Sequence, residues 1–248
     1  MNNLTSEQLI RYRRQLILKE VGQEGQKKLL DAKVLIIGAG GLGSPIALYL
    51  AAAGIGKIGL VDSDCVDLSN LQRQIIHSTE KIGVQKVKSA EERLLNLNTD
   101  VHIDTYFCEI DKTNVNSIIE NYDIVVNAVD NAQTRYILNE ACFNYNKPLV
   151  EGAIYNFEGH VMTIIPGDTA CYECIFPEGE VALKGEIGVI GALPGVIGSL
   201  QAMEVLKCIL MTGKLLKNRM LYYNGLTATF REIEVEKDSN CKICGHLK

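Results

Sequence analysis

The sequence predicts an α/β fold of the Rossmann type, with a doubly wound, mainly parallel sheet that carries an antiparallel C-terminal extension and a structural zinc site. Three observations indicate this fold. A glycine-rich turn joins an apolar strand to an apolar helix, strands and helices then alternate, and strand-like segments with paired cysteines follow in the last third. The chain has 248 residues, 47% of them hydrophobic, which is enough for one domain with a sizeable core.

The glycine-rich turn lies between the predicted strand KVLII and the predicted helix SPIALYLAAAG. Its glycines are Gly38, Gly40, Gly41 and Gly43. We expect Ser44 to be the N-cap of the helix, Pro45 its first residue and Gly54 its C-terminal stop. The pattern is typical of a nucleotide-binding βαβ unit, in which backbone approaches a pyrophosphate at a helix N-terminus. It does not distinguish a dinucleotide from ATP.

Further elements follow in the same alternation. KIGLVD is a predicted strand that ends on Asp62, VQKVKSAEERLLNLN a helix, VHIDTYF a strand, and YDIVVNAVD a buried strand that ends on Asp130. After Pro148 the pattern changes to the strands HVMTIIP, MLYYNG and TATFREIEVE, with the helix SLQAMEVLKCILMTG between them. We therefore expect a second lobe fused to one sheet.

Charge and the N-terminus exclude several protein classes. The net charge is −5 and no run of Lys and Arg is present, which disfavours a nucleic-acid partner. The N-terminus MNNLTSEQ lacks the pattern of a signal peptide, so we expect a cytoplasmic protein. Two uncharged runs, 34–56 and 187–203, are interrupted by Gly and Pro. We interpret both as buried core and expect no membrane span.

The cysteines give a second strong signal. Two C-x-x-C pairs, Cys171 with Cys174 and Cys241 with Cys244, provide four thiolates for a closed, structural zinc site. A pair of disulfides is the alternative, and His246 is a possible competing ligand. The other cysteines are interpreted as small hydrophobic residues. They are Cys65, Cys108, Cys142 and Cys208.

Asp62 lies at the expected distance after the glycine turn to accept hydrogen bonds from ribose hydroxyls. A turn aspartate is the alternative, and Asp64 could share the role. The polar segment DLSNLQRQ follows, then Lys86 on a helix and Asp130 after a later strand. Two cations, Arg73 and Lys86, with a metal-binding carboxylate suit a triphosphate. Taken singly, both could be solvated charges, and Asp130 could be a helix N-cap.

Together, the segments GAGGLGS, LSNLQRQ and GVIGSLQAMEVLK and the cysteine pairs resemble the MoeB/ThiF/HesA family. This family is related to the ubiquitin-activating enzymes, which adenylate the C-terminus of a small carrier protein. The resemblance runs from LIRYRRQLIL to the last cysteines. It implies one adenylyltransferase domain over residues 1–248, with N-terminal helices (1–30), a nucleotide-binding core (31–150) and a carrier-binding lobe with the zinc site (151–248).

The resemblance also implies roles for individual residues. The turn around Gly41 would approach the phosphates, Asp62 would hold the ribose, and Asp130 would hold Mg²⁺ with Asn131 beside it. Arg14, rather than Arg11 or Arg13, would enter the site of the partner subunit in a homodimer. The remaining ATP-binding residues implied are Ser69, Asn70, Leu71, Gln72, Arg73 and Lys86.

The implied reaction is ATP-dependent adenylylation of the C-terminal glycine carboxylate of a ubiquitin-like sulfur carrier that ends in Gly-Gly. Pyrophosphate is released, and the pathway is that of molybdopterin, thiamine or a related sulfur transfer. The implied cofactors are ATP, Mg²⁺ and structural Zn²⁺, with catalysis by Arg14, Arg73, Lys86 and Asp130. One departure is the segment PEGEVALKGEIGV, which has Lys184 where some relatives carry a reactive cysteine.

Two other functions remain open at this point. An NAD-dependent oxidoreductase would use the same glycine pattern, but the polar segment SNLQRQ argues against it. A non-catalytic zinc scaffold that binds a carrier would keep the fold without the chemistry. The presence of Arg14, Arg73, Lys86 and Asp130 argues against that scaffold.

Overall fold

The computed structural model describes residues 3–179 and 188–245. The strands are β1 Lys33–Ile37, β2 Lys57–Val61, β3 His102–Tyr106, β4 Ile124–Asn127, β5 Leu149–Tyr155, β6 Glu158–Ile164, β7 Arg219–Asn224 and β8 Thr229–Glu234. The helices are α1 Ser6–Arg11, α2 Arg13–Leu16, α3 Gly22–Asp31, α4 Gly43–Ala53, α5 Lys86–Leu97, α6 Val115–Ile119, α7 Ala132–Asn144, α8 Tyr172–Ile175 and α9 Ala192–Leu210.

All eight strands form one sheet in the order β3-β2-β1-β4-β5-β6-β7-β8. The strands from β3 to β5 in this order are parallel, whereas β5 to β8 pair antiparallel. This confirms the predicted mainly parallel Rossmann-type sheet with an antiparallel extension. The order reverses between β1 and β4, and in open α/β sheets ligands bind at such a reversal.

Side chains of β1 show why its sequence is continuously apolar. Val34 and Ile36 belong to one hydrophobic core, and Leu35 and Ile37 belong to a second core on the opposite face. Helices cover both faces, so a parallel strand in the middle of this sheet has no polar side. The first core includes residues of α3, α4, α5 and α9, and the second includes residues of α6 and α7 and the paired cysteines.

Strand β5 was not predicted, and it joins the two halves of the sheet. It pairs parallel with β4 and antiparallel with β6. Residues 149–155 therefore span residue 151, where the sequence analysis begins the second lobe. The β5 sequence LVEGAIY contains Glu151, which is completely buried. A charged residue interrupts the run of apolar residues by which a buried strand is recognised. The partner that allows its burial, Arg135, comes from a distant segment and is not visible in the local sequence.

Helix α4 begins at Gly43, two residues earlier than the predicted first residue Pro45. The prediction that Ser44 is the N-cap is wrong, because Leu42 occupies that position and Ser44 Oγ donates to Gly40 O at 2.6 Å. Pro45 is therefore the third helical residue, where the missing amide is still tolerated. The predicted stop is confirmed, since Gly54 adopts the left-handed conformation at φ 88°.

Helix α9 starts at Ala192, seven residues before its predicted segment, because Pro194 fits into its first turn. By length and composition this one helix of the described ranges could cross a membrane. In the structure it packs against α4, β5 and β6. It is therefore a core helix of the sheet, in line with the sequence-based interpretation.

Candidate functional site

A cleft of about 1490 Å³ opens at the carboxyl ends of the parallel strands. It lies beside the reversal of strand order and contains the glycine turn. Among the predicted site residues, those that line it are Gly38, Gly40, Gly41, Asp62, Ser69, Gln72, Arg73, Lys86, Asp130 and Asn131. The fold therefore brings together segments from four parts of the sequence. Gly43, Asn70 and Leu71 are not among the described residues that line the cleft.

The glycine turn is held in place by close backbone contacts and by Asp62. A Cβ atom on Gly43 would lie 1.9 Å from Gly38 O, so only glycine fits where the turn enters α4. Asp62 Oδ2 accepts a hydrogen bond from Ala39 N at 2.8 Å, and Oδ1 accepts one from Asp64 N at 2.9 Å. Asp62 therefore anchors the turn, the alternative role considered for it, while its carboxylate still faces the cleft.

Lys86 is the first residue of α5, and its side chain is only 6% exposed. Its Nζ lies 2.7 Å from Asp64 Oδ2, and the Asp64 side chain is 67% exposed. A buried lysine on the wall of a cleft is not the solvated charge considered as its alternative. The arrangement presents a cation beside the glycine turn, with an exposed carboxylate as its partner.

The polar segment after β2 folds as a short 3-10 helix, Leu68–Asn70. Asp67 Oδ1 accepts hydrogen bonds from the backbone amide and the hydroxyl of Ser69, and these bonds lower the pKa of Asp67. Arg73 donates to Ser69 O at 3.3 Å, and Gln74 Nε2 donates to Asn70 Oδ1 at 2.9 Å. The segment therefore orients Arg73, which is half-buried beside Gly41.

Gln74 was not predicted as a site residue. It is 4% exposed, lines the cleft and lies against Gly40, and its Oε1 has no hydrogen-bond partner in the described part of the chain. Gln74 is the last residue of the polar segment LSNLQRQ, and this position is the signal in the sequence that could have identified it as a site residue.

Asp130 lies three residues after β4 rather than at its end, because β4 stops at Asn127. It is exposed, lines the cleft, and its carboxylate forms no hydrogen bond within residues 3–179 and 188–245. The N-cap role considered for Asp130 is wrong, since Asn131 is the N-cap of α7 and accepts a hydrogen bond from Thr134 N at 2.9 Å. An unpaired carboxylate in the cleft of the glycine turn fits Mg²⁺, which is held by few protein oxygens.

A buried polar network lies under Asp130, and the sequence analysis did not identify it. Arg135 of α7 forms an ion pair with Glu151 of β5 and donates hydrogen bonds to Val129 O and Gly152 O. Asn127 Nδ2 donates to the other oxygen of Glu151. The only signals were one arginine in the first turn of a helix and one glutamate in a strand-like run, and their pairing depends on the tertiary fold.

The four paired cysteines meet in one cluster that closes over the second core. Their sulfur atoms all lie within 4.8 Å of one another, at 3.8 Å for Cys171 to Cys174, 3.6 Å for Cys171 to Cys241 and 3.2 Å for Cys174 to Cys244. Ligands of a tetrahedral zinc ion, with Zn–S bonds of about 2.3 Å, lie roughly 3.8 Å apart. None of the eight cysteines forms a disulfide, so that alternative is wrong.

The other cysteines differ in exposure. Cys142 is buried, Cys108 and Cys208 are half-buried and Cys65 is exposed, so Cys65 does not fit the interpretation as a packed hydrophobic residue. His246, the possible competing ligand, lies outside the described residues. The same holds for Lys184.

Aromatic side chains form the wall of the cleft that leads to the cysteine cluster. Tyr172 lies between Cys171 and Cys174, and its ring centroid is 5.0 Å from that of Phe176. Phe176 in turn stacks on His160, with ring centroids 5.6 Å apart. Burial, with the nearby Arg135, lowers the pKa of His160 to about 4, so this ring is neutral near pH 7. The first cysteine pair therefore shapes the same cleft as the glycine turn.

Arg14 lies apart from these residues. It is exposed on α2 and is not among the residues that line the cleft of its own chain, as far as the structure describes them. Any role of Arg14 in such a cleft requires the cleft of a second subunit.

Comparisons with known proteins agree with this geometry. Residues 12–243 match the ThiF family. The chain is 43% identical over 247 residues to the SAMP-activating enzyme E1 of Haloferax volcanii, a match that covers 98% of this chain and 91% of that protein. It is 44% identical over 250 residues to the sulfur carrier protein adenylyltransferase of Thermus thermophilus, covering 97% and 92%.

Solved structures extend the comparison. MccB of E. coli, crystallised with ATP, superposes with a TM-score of 0.85 at 25% identity, covering 95% of this chain and 75% of that one. The match includes both halves of the sheet, and the family match spans the glycine turn, the cleft and most of the cysteine cluster. With its fold, its cleft and its sequence all agreeing, this chain belongs to the ThiF family.

Proposed function

We propose that this protein is an ATP-dependent adenylyltransferase that activates the C-terminal glycine carboxylate of a small ubiquitin-like sulfur carrier ending in Gly-Gly. The observation that carries the proposal is the cleft in which Lys86, Arg73 and Asp130 surround one glycine turn. Two relatives that match over more than nine-tenths of their length are named for this kind of reaction. The carrier would serve molybdopterin, thiamine or a related sulfur-transfer pathway.

ATP is proposed to bind with its phosphates at the glycine turn and its ribose at Asp62. The turn is closely lined at Gly41, where an added Cβ would lie 3.3 Å from Pro194 and 3.6 Å from Arg73, and backbone amides at the start of α4 favour a phosphate there. Ser69 to Arg73 form the side of the site near the phosphates. A proposed role of Asn131 at the metal is indirect, because its side chain caps α7.

The reaction needs positioning and charge stabilisation rather than a protein nucleophile. A carboxylate oxygen of the carrier attacks the α-phosphorus, the bond from that phosphorus to the bridging oxygen breaks, and pyrophosphate leaves. Lys86 and Arg73 lie where they can stabilise the negative charge on the phosphates. Asp130 would hold Mg²⁺, which neutralises phosphate charge when bound. The product is a mixed anhydride, in which the C-terminal carboxyl group of the carrier is joined to the phosphate of AMP.

The carrier tail is proposed to enter between the aromatic wall and the glycine turn. Tyr155, Tyr172 and Phe176 line this part of the cleft, together with the neutral His160. Glycine residues at the end of the tail would pass where larger side chains could not. The zinc ion is proposed to bind Cys171, Cys174, Cys241 and Cys244, because their spacing fits tetrahedral ligation. It would hold Tyr172 in this wall and contribute folding free energy.

A homodimer completes the proposed site. Arg14 is exposed and distant from its own cleft, and a two-fold dimer would place it in the cleft of the partner subunit. Exposed apolar side chains near this region support such an interface. They are Ile10, Ile17 and Leu18, which lie within four residues of Arg14 in the sequence.

Carrier-dependent exchange of labelled pyrophosphate into ATP tests the proposal. We expect exchange when the protein, Mg²⁺ and a Gly-Gly carrier from the same host are present, and none when the last two glycines of the carrier are removed. No exchange with any such carrier, together with tight binding of NAD, would favour an oxidoreductase. Carrier binding without exchange or nucleotide binding would favour a zinc scaffold.

A further inference from the structure

Val129, the residue immediately before Asp130, is held at both its backbone carbonyl and its backbone N–H. Arg135 donates a hydrogen bond to Val129 O, and Val129 N donates to Asn127 Oδ1 at 3.2 Å. Both of these partners are tied to Glu151, Arg135 through its ion pair and Asn127 through Nδ2 at 2.5 Å from Oε2. A single buried carboxylate therefore fixes both the donor and the acceptor that hold the backbone of Val129.

This network is enclosed. The side chain of Glu151 is 0% exposed and that of Arg135 is 8% exposed, so both charges depend on each other and on hydrogen bonds for solvation. The guanidinium uses its fixed fork geometry to reach three acceptors, namely Glu151, Gly152 O and Val129 O. A lysine at this position could neutralise Glu151, but one ammonium would not hold all three acceptors in the same arrangement.

Within the described residues, Asp130 receives no hydrogen bond at its carboxylate, although the charge of Arg135 is near enough to act on it electrostatically. The side chain of the next residue, Asn131, is engaged by α7. The backbone that carries Asp130 is therefore held on its N-terminal side through Val129. Outer partners that fix a metal ligand in this way commonly decide its affinity.

We propose that Arg135, Glu151 and Asn127 are positioning residues that hold Asp130 ready for the metal of a metal–nucleotide complex. The proposal rests on the proposed function in one respect, the assignment of Asp130 as the metal ligand. Arg135 acts through the Val129 carbonyl and not as a phosphate-binding cation, because Glu151 neutralises its charge. The alternative is an ion pair that only stabilises the link between α7 and β5.

The affinity for Mn²⁺ in the presence of a non-hydrolysable ATP analogue tests the proposal without catalysis. It is measured from the electron paramagnetic resonance signal of the unbound Mn²⁺. We expect Arg135→Lys to weaken Mn²⁺ binding about 10- to 100-fold, the range found for outer partners of metal ligands. Nucleotide binding in the absence of metal should remain close to that of the wild type. Asp130→Asn should lose the metal-dependent part of the affinity.

Glu204→Gln is the matched control. Glu204 is 2% exposed, pairs with Lys207, and accepts hydrogen bonds from Thr163 Oγ1 at 2.6 Å and Leu216 N at 2.8 Å, all away from the cleft. This variant breaks a comparably buried ion pair, so it should lower stability and leave Mn²⁺ affinity unchanged. If Arg135→Lys fails to fold, the uncharged substitution Asn127→Ala removes the Val129 N bond and carries the same expectation.

Wild-type Mn²⁺ affinity in the folded Arg135→Lys or Asn127→Ala protein would overturn the proposal, and so would wild-type affinity in Asp130→Asn. Equal weakening in Glu204→Gln would also overturn it, because the effect would then follow from stability alone. Absence of pyrophosphate exchange in the wild type would defeat the proposed function instead. The Mn²⁺ titration would still decide whether Arg135 positions Asp130.

Discussion

Lys86 Nζ lies 2.7 Å from Asp64 Oδ2 across the wall of the cleft, with the lysine side chain 6% exposed and the aspartate side chain 67% exposed. Lys86 is the first residue of α5, and its side chain is buried. The carboxylate of Asp64 is exposed to solvent and contacts Lys86 from the outer side. A phosphate group that enters the cleft can therefore replace Asp64 as the partner of Lys86 while the ammonium stays in position. Under the proposed function, this pair would be a preformed site for the charge of a triphosphate.

Replacing Lys86 should therefore affect the chemistry more than the fold. We expect Lys86→Met to lower the rate of pyrophosphate exchange roughly 10²- to 10³-fold, as for other preorganised donors of transition-state stabilisation. Lys88→Met is the matched control, because Lys88 lies on the same helix, is 52% exposed and pairs only with Glu91 in the described residues. Equal loss in both variants would show that Lys86 has no special role.

The cysteine cluster should bind one zinc ion per chain, measurable by elemental analysis. Cys174→Ala should release the metal and lower Tm, by about 2–4 °C for each kcal/mol of lost stability in a chain of this size. Cys65→Ala is the control, because Cys65 is exposed and outside the cluster. A metal-free protein with wild-type Tm would contradict a structural role for zinc.

His160 should make stability depend on pH. Burial lowers its pKa to about 4 in the folded protein, below the usual value of 6.5, so the unfolded chain binds a proton first as the pH falls. The contribution is fully present above about pH 6.5 and is lost between there and pH 4, up to about 3 kcal/mol. In His160→Phe, which preserves the stacking on Phe176, urea unfolding should show a smaller loss over this range. An unchanged pH dependence would contradict burial of a neutral His160.

Arg14 and Asp130 should complement each other across subunits. We expect Arg14→Ala to lower the rate roughly 10³-fold, as for arginines that enter a partner's phosphoryl-transfer site. Asp130→Ala should be inactive because it loses its hold on Mg²⁺. After subunit exchange, one site of the mixed dimer carries both substitutions and the other carries neither.

Activity should then return to about half of the wild-type value per mixed dimer if the two sites act independently. Light scattering and tagged subunits verify that exchange has occurred. Activity that stays at the level of the separate variants after verified exchange would show that Arg14 does not act in trans.

Local patterns predicted the parallel half of the fold well. Strand β1 has the predicted bounds Lys33–Ile37, because buried parallel strands have a clear apolar signature. Strand β5 was missed because Glu151 and Gly152 interrupt its apolar run, and the N-cap of α4 was wrong because the glycine turn itself forms the first helical residue. Both depend on contacts that a local pattern does not contain.

The site shows the same limit. Motif spacing predicted the glycine turn and Asp62, and the family resemblance implied Ser69 to Arg73, Lys86 and Asp130; their roles toward a ligand stay predictions. The roles of Asn131 as the cap of α7 and of Arg135 as the partner of Glu151 were not predicted. Each role depends on which side chain forms a given hydrogen bond in the folded chain. Asn131, and not Asp130, accepts the hydrogen bond from Thr134 N that caps α7, and the Asp130 carboxylate forms no hydrogen bond within the described residues.

The intact mass of the carrier after a single turnover tests the central claim most directly. Protein, ATP, Mg²⁺ and a Gly-Gly carrier are mixed, pyrophosphatase removes the released pyrophosphate, and the carrier is analysed by mass spectrometry. We predict a carrier heavier by one adenylate, with the added group on its C-terminal glycine, and no such species when Asp130→Ala protein is used. A carrier of unchanged mass, under conditions where ATP is bound and the carrier is bound, would contradict the account.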